Sequence, residues 1–309
     1  MSRILVTGAA GMIGRALLSE LKGHQVTATD LRQEGLPDGV DFMRMDVTGA
    51  DPDRVIGEVR PDVIVHLASI VTPPPGMGRD AAFAVDVTGT KNVLAAAIKH
   101  GVRRIVVTSS GAAYGYHADN PVPLRETDPC RGNPEFAYAD HKRQVEEMLE
   151  KARRDTPQLE QVVLRVGTVL GAGTENQITA LFRRRRLLAV RGSESPFVFI
   201  WTEDLARILH RAATDGPAGT FNVAGDGAMG VSELARRLGR PVLRLPAWVL
   251  KGALAVAKPL GLSRYGPEQV RFLQYRPVLA NDALKDVFGY VPEKTSVQVF
   301  ETWKTAAGL

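Results

Sequence analysis

The sequence predicts an α/β protein whose core is a doubly wound parallel sheet, with a smaller, discontinuous C-terminal lobe for the substrate. Three observations predict it. Apolar, strand-like runs alternate with helical patterns through the first 166 residues. A glycine-rich turn, Gly8-Ala9-Ala10-Gly11-Met12-Ile13-Gly14, directly follows the first of these runs. An acidic residue, Asp30, closes the second run about twenty residues beyond the turn.

The elements follow in chain order. The run Arg3–Thr7 reads as a buried strand, and the chain must then turn tightly into a helix over Met12–Lys22. Glycine suits that turn where the backbone takes unusual dihedrals, approaches a phosphate, or lets helix pack on strand. Amides at the start of the helix can face a pyrophosphate, so Gly8, Gly11, Met12, Ile13 and Gly14 are candidate cofactor residues. The second strand, Gln25–Thr29, delivers Asp30 and Leu31 to its end. A carboxylate there holds both hydroxyls of an adenosine ribose and repels a 2′-phosphate, so NAD is the expected cofactor rather than NADP. Arg32 is a competing signal, since an arginine attracts that phosphate or stacks on adenine. Further strands are expected at Asp41–Met45, Asp62–His66, Arg103–Thr108 and Gln161–Val166, with helices at Asp80–His100 and Pro134–Arg154. This is a Rossmann pattern, whose ligands lie beyond the carboxyl ends of the strands.

After Val166 the regularity fades, and only Phe197–Ala213 reads as one more strand and helix. Residues 1–166 are therefore expected to bind the dinucleotide, with 197–215 returning to them. Residues 167–196 and 216–309 are expected to form the smaller lobe, covering the cofactor site and supplying the substrate pocket.

Composition narrows the function. Among 309 residues the single cysteine, Cys130, excludes internal disulfides and cysteine-based metal clusters, and no metal site is expected. A reducing, cytoplasmic location is the expectation, because no signal-peptide pattern precedes the glycine turn. The apolar stretch Leu245–Leu262 is interrupted by Lys251 and Lys258 and bounded by Pro246 and Pro259. It is too short and charged to span a bilayer, and reads as a core or subunit-interface helix rather than a membrane-surface one. The net charge of +5 is modest, and its dense cluster, Arg183–Arg186, reads as a solvated helix end. No basic face with stacking aromatics accompanies it, so nucleic acid is not an expected partner.

The catalytic candidates come from two segments. Tyr138 and Lys142 lie four apart in a helical pattern, which places them on one face a turn apart. A phenol with an ordinary pKa near 10 is a poor base at neutral pH, and a neighbouring ammonium stabilises its phenolate. Lowering that pKa by roughly three units takes about 4 kcal/mol, which a partly buried lysine and a nicotinamide cation can provide. Tyr290 and Lys294 repeat the spacing, but Pro292 between them breaks the helix the geometry needs. The strand ending Thr108-Ser109-Ser110 adds hydroxyls beside the cofactor, one to bond a substrate oxygen and the other to cap a turn.

These residues together resemble the extended short-chain dehydrogenase/reductase superfamily, in its NAD-dependent epimerase/dehydratase branch. The similarity runs along most of the chain and is dense through about residue 210. In Thr108-Ser109-Ser110-Gly111-Ala112-Ala113-Tyr114-Gly115, the family's catalytic hydroxyl lies four residues before the tyrosine, which makes Ser110 the match and leaves Ser109 structural. Tyr138 and Lys142 match the base and its supporting lysine. Asp46-Val47 resembles the pair that contacts adenine, and His66-Leu67-Ala68-Ser69 the strand end lining the cofactor's ribose and pyrophosphate. The segment from Phe199 to Ala206 resembles the later strand-to-helix signature.

Departures accompany the match. Asp86 stands where the family commonly has asparagine, Thr168 where sugar-nucleotide enzymes carry asparagine, and Trp201 where a histidine is usual. The resemblance implies hydride transfer between NAD and a secondary alcohol or ketone, giving either sugar epimerisation or net dehydrogenation. The small-molecule substrate would then be a hydroxyl or keto compound, such as a sugar. Two other readings are a 3-beta-hydroxysteroid-dehydrogenase-like or other carbonyl reductase, and a non-catalytic NAD-binding redox sensor. The resemblance also implies a homodimer through Asp80–His100 and Pro134–Arg154, while their apolar pattern leaves dimerisation open.

Overall fold

The computed structural model describes residues 2–74, 76–263 and 266–309. The first half of the chain runs β1 (Arg3–Thr7), α1 (Met12–Glu20), β2 (Gln25–Asp30), β3 (Asp41–Arg44), α2 (Asp51–Val59) and β4 (Val63–His66). It continues with α3 (Arg79–Phe83), one wide turn of π-type winding over Ala84–Thr88, α4 (Gly89–Lys99) and β5 (Arg104–Ser110). A 3₁₀ turn over Gly111–Tyr114 and a long loop lead to α5 (Ala137–Asp155) and β6 (Glu160–Val166). The second half comprises β7 (Thr168–Leu170), α6 (Gln177–Phe182), β8 (Leu187–Val190), β9 (Phe199–Trp201), α7 (Thr202–Ala213) and β10 (Gly219–Val223). Then come α8 (Val231–Leu238), β11 (Val242–Leu245), α9 (Ala247–Ala257), α10 (Gln269–Gln274), α11 (Asp282–Asp286) and α12 (Ser296–Ala306).

Seven parallel strands form the central sheet in the order β10-β6-β5-β4-β1-β2-β3. Helices cover both faces, so the inner strands are apolar on both sides: Ile4, Leu5, Val6, Val63, Ile64 and Val65 are fully buried. On one face α1 and α7 pack with Leu17, Ile208 and Leu209. On the other α2, α4 and α5 contribute Ile56, Val93, Val145 and Leu149. The strand order reverses direction beside β1, where Thr7 and His66 are register partners, and a crevice opens at such a point.

The helix expected over Asp80–His100 is present as one run over Arg79–Lys99, widened by the π-type turn that contains Asp86. The sequence reading needs two corrections here. The seventh strand, β10, comes from residues placed in the smaller lobe, and α11 packs on the sheet with Leu284 and Phe288. The apolar stretch after Leu245 is not a core helix, because only Leu250 of α9 is buried. The C-terminal pieces β7, β8, β9 and β11 pair into two small two-stranded sheets around an aromatic cluster of Phe182, Phe197, Phe199, Phe300 and Trp303.

Candidate active site

The site grows from the strand ends. A turn after β1 puts Gly8 at φ +67°, and a Cβ there would lie 2.7 Å from the Ala68 amide nitrogen. At Gly14 a Cβ would sit 2.5 Å from the Ala9 carbonyl oxygen. The chain therefore closes tightly, and no side chain caps the start of α1 at Gly11. Uncapped amides with the positive end of a helix behind them make a cradle for a pyrophosphate. Asp30, at the end of β2, accepts from the Ala10 amide at 3.0 Å and the Leu31 amide at 2.7 Å. A carboxylate has four acceptor positions, which leaves capacity for ribose hydroxyls. These residues fit a dinucleotide. Leu31 is half exposed, while Asp46 closes a turn by accepting from Thr48 at 2.7 Å and Val47 packs against Gly89.

A cavity of about 670 Å³ begins beside this turn, lined there by Met12, Ile13, Leu67 and Ser69. Ser110, Tyr138 and Lys142 line it as well, carried by the end of β5 and the first turns of α5. Ser110 lines the cavity with the Tyr138 phenol; its oxygen accepts from the Ala112 amide at 3.1 Å and donates to the Val166 carbonyl at 3.5 Å. The Lys142 ammonium donates to the Thr108 carbonyl at 2.9 Å and lies 5.7 Å from the Tyr138 ring centre. Ser109 turns away and donates to Glu146 at 2.5 Å, inside a buried cluster with Arg165 and Tyr114. Tyr290 is held by Asp204 at 2.7 Å, and Lys294 lies over the Trp201 ring. Ser110, Tyr138 and Lys142, singled out in the sequence, line the same cavity.

The electrostatics differ from the expectation. Burial pushes the Tyr138 phenol up to about 12, Ser110 opposes that, and the carboxylate of Asp86 adds to it. Lys142 is pulled below its ordinary value by burial, with Asp86 and Glu146 holding it up. Desolvation is the dominant influence in the ligand-free protein, so Tyr138 rests as a neutral phenol. Asp86 is the organiser behind this pair. One carboxylate oxygen accepts from Ser69 and the Ile70 amide, both at 2.8 Å, and the other meets His141 Nδ1 at 3.0 Å. Both Asp86 and His141 are buried, and His141 immediately precedes Lys142. The carboxylate thus ties the loop after β4 to the helix bearing the lysine.

Arg276 escaped the sequence reading. It lines the cavity at 9% exposure, stacked 3.8 Å from the Phe197 ring centre and 4.5 Å from that of Phe272. Its Nη1 donates to the Ser195 carbonyl at 2.6 Å, while its Nε has no partner among the described residues. Burial pulls its pKa down to about 9. Phe272 lies only four residues before Arg276, but the second ring, Phe197, comes from a distant segment that local sequence does not reveal.

The model of the NAD dependent epimerase/dehydratase family matches residues 4–224. The chain belongs to this family. A UDP-glucose 4-epimerase of Azospirillum brasilense is 32% identical over 215 residues, covering 62% of this chain and 60% of that protein. An uncharacterized protein of Mycobacterium tuberculosis is 27% identical over 322 residues, covering 99% of this chain and 84% of its own length. Among solved structures, the UDP-glucose 4-epimerase of Thermotoga maritima with UDP-glucose has a TM-score of 0.77 at 21% identity, covering 99% of this chain and 98% of that one. The Bordetella bronchiseptica enzyme WbmG in complex with NAD and UDP has a TM-score of 0.75 at 20% identity, with 99% and 95% covered. Those two likenesses are likenesses of fold.

Proposed function

We propose that the protein is an NAD(H)-dependent oxidoreductase acting on a secondary alcohol or ketone of an anionic, sugar-sized substrate, with a nucleotide sugar as the leading class. The observation that carries this reading is the convergence of Ser110, Tyr138 and Lys142 on one cavity beside the glycine turn. Bound NAD supplies the hydride acceptor. The chain's own residues do the rest. Gly8, Gly11 and the first turn of α1 hold the pyrophosphate, and Asp30 selects the unphosphorylated ribose. Ser110 hydrogen-bonds the substrate oxygen and fixes it against Tyr138. Tyr138 as phenolate takes the hydroxyl proton in oxidation and returns it in reduction, as a positioned general base and acid. The neighbouring Lys142 ammonium opposes the burial that keeps the phenol neutral at rest.

Arg276 supports an anionic substrate over a neutral sterol. A buried guanidinium in the cavity lining, with no carboxylate partner among the described residues, favours a phosphate or carboxylate there. An intact hydroxyl, phenol and ammonium disfavour a non-catalytic sensor. The test is a scan at 340 nm with NAD and a panel of sterols, sugars, sugar acids and sugar nucleotides, with isomer analysis of each mixture. NADH accumulation marks net dehydrogenation, whereas interconverted isomers without NADH mark epimerisation. Arg276→Met should raise KM for an anionic substrate at least tenfold with a smaller effect on kcat. Turnover of neutral sterols alone would overturn the substrate class.

A further inference from the structure

α9 and the turn that follows it are oddly bare for an apolar segment. Leu250 is buried against Val190 and Val270, with Leu254 and Ala247 beside it. On the opposite side Trp248, Gly252, Ala255 and Val256 recur at helical spacing and form one exposed stripe. Trp248 is 76% exposed, Val256 62%, and beyond the helix Leu260 and Leu262 are 65% and 79% exposed. A contiguous apolar surface of this kind marks an interaction site, whereas scattered single residues do not.

Charge identifies the partner. Between Glu233 and Glu268 the chain carries seven basic residues and no acidic one. Lys251 and Lys258 follow one edge of the exposed stripe by helical spacing, and both are exposed, Lys258 in a surface ion pair with Glu268 at 3.2 Å that an anionic surface can replace. A second copy of the chain seated on this face would bring like charges together. A polyanionic surface with an apolar interior complements both features at once. The exposed indole suits the same boundary, since tryptophan places an apolar ring and a polar N–H where headgroups meet acyl chains.

We infer that α9 and the Pro259–Leu262 turn form a peripheral docking face for an anionic phospholipid bilayer. The helix has 11 residues and lies in the boundary plane rather than crossing it. The one described helical run long and apolar enough to span a bilayer, Arg79–Lys99, is half buried against the sheet and α5 and takes no part. Trp248, Val256 and Leu260 enter between headgroups, while Lys251 pairs with lipid phosphates and Lys258 exchanges Glu268 for them. Attachment is therefore reversible and salt-sensitive.

The full chain is tested by co-sedimentation with phosphatidylcholine vesicles, with and without phosphatidylglycerol. The expected result is partitioning onto the anionic vesicles only, with loss at high salt and a blue shift of tryptophan emission that Trp248→Phe removes. Trp248→Glu/Val256→Glu and Lys251→Glu/Lys258→Glu should each weaken partitioning by about tenfold or more while NAD affinity stays unchanged. Equal partitioning of both double variants and wild type, or none by the wild type, overturns the inference. So does a concentration-dependent dimer, seen by sedimentation, that Trp248→Glu dissolves without any vesicle binding.

Discussion

Asp86 has the most leverage of any residue outside the reacting set. Its carboxylate raises the pKa values of both Tyr138 and Lys142, which face it together with Glu146, His66 and His141. Asp86→Asn keeps an acceptor for Ser69 and the Ile70 amide but removes the charge. Tyr138 and Lys142 should then both lose their protons at lower pH. The two limbs of kcat/KM, which the Tyr138 and Lys142 ionisations set together, should both move to lower pH. A purely structural role would lower the rate and leave the limbs in place. The same site explains what sequence could and could not reveal. Tyr138 and Lys142 were legible because their spacing fixes their geometry on one helix. The raised phenol was not, because desolvation depends on what β5, the π-type turn and the cavity wall pack around it.

Among the elements, the glycine turn is the most constrained. Gly8→Ala forces a side chain into the left-handed region, at about 1–2 kcal/mol, and presses its Cβ against backbone at Ala68. The expected outcome is a lower melting temperature and at least tenfold weaker NAD binding. Gly23→Ala, at φ +91° with open space around it, is the comparison and should cost stability alone. The inner strands β1, β4 and β5 could be read from the chain because burial on both faces gives each an apolar run. Two elements gave no such signal. α2 shows the core only Pro52, Val55 and Ile56 among polar residues. β10 reads Gly-Thr-Phe-Asn-Val, and its asparagine is buried only because Tyr114, Leu124 and Glu126 satisfy it. α9 showed its apolar content in sequence, but which side it leaves bare depends on where α10 and β8 lie.

Taken whole, the molecule uses its parallel sheet to bring residues from distant segments to one edge. β1 and β2 present the cofactor turn and Asp30, β5 presents Ser110, and α5 lays Tyr138 and Lys142 alongside. Segments between Thr168 and Leu279 close the cavity opposite them with Phe197, Phe272 and Arg276. That closing wall was hidden in the sequence, since tertiary packing alone brings Phe197 to Phe272 and Arg276. Proton transfer at Tyr138 is the claim on which this assembly stands. The direct measurement is turnover of Tyr138→Phe beside NAD affinity, on any substrate the wild type converts. The phenol oxygen is lost without loss of the ring, so turnover should fall by about 10²–10⁴-fold while NAD affinity stays within about twofold. A Phe variant retaining a tenth or more of wild-type turnover would contradict the account.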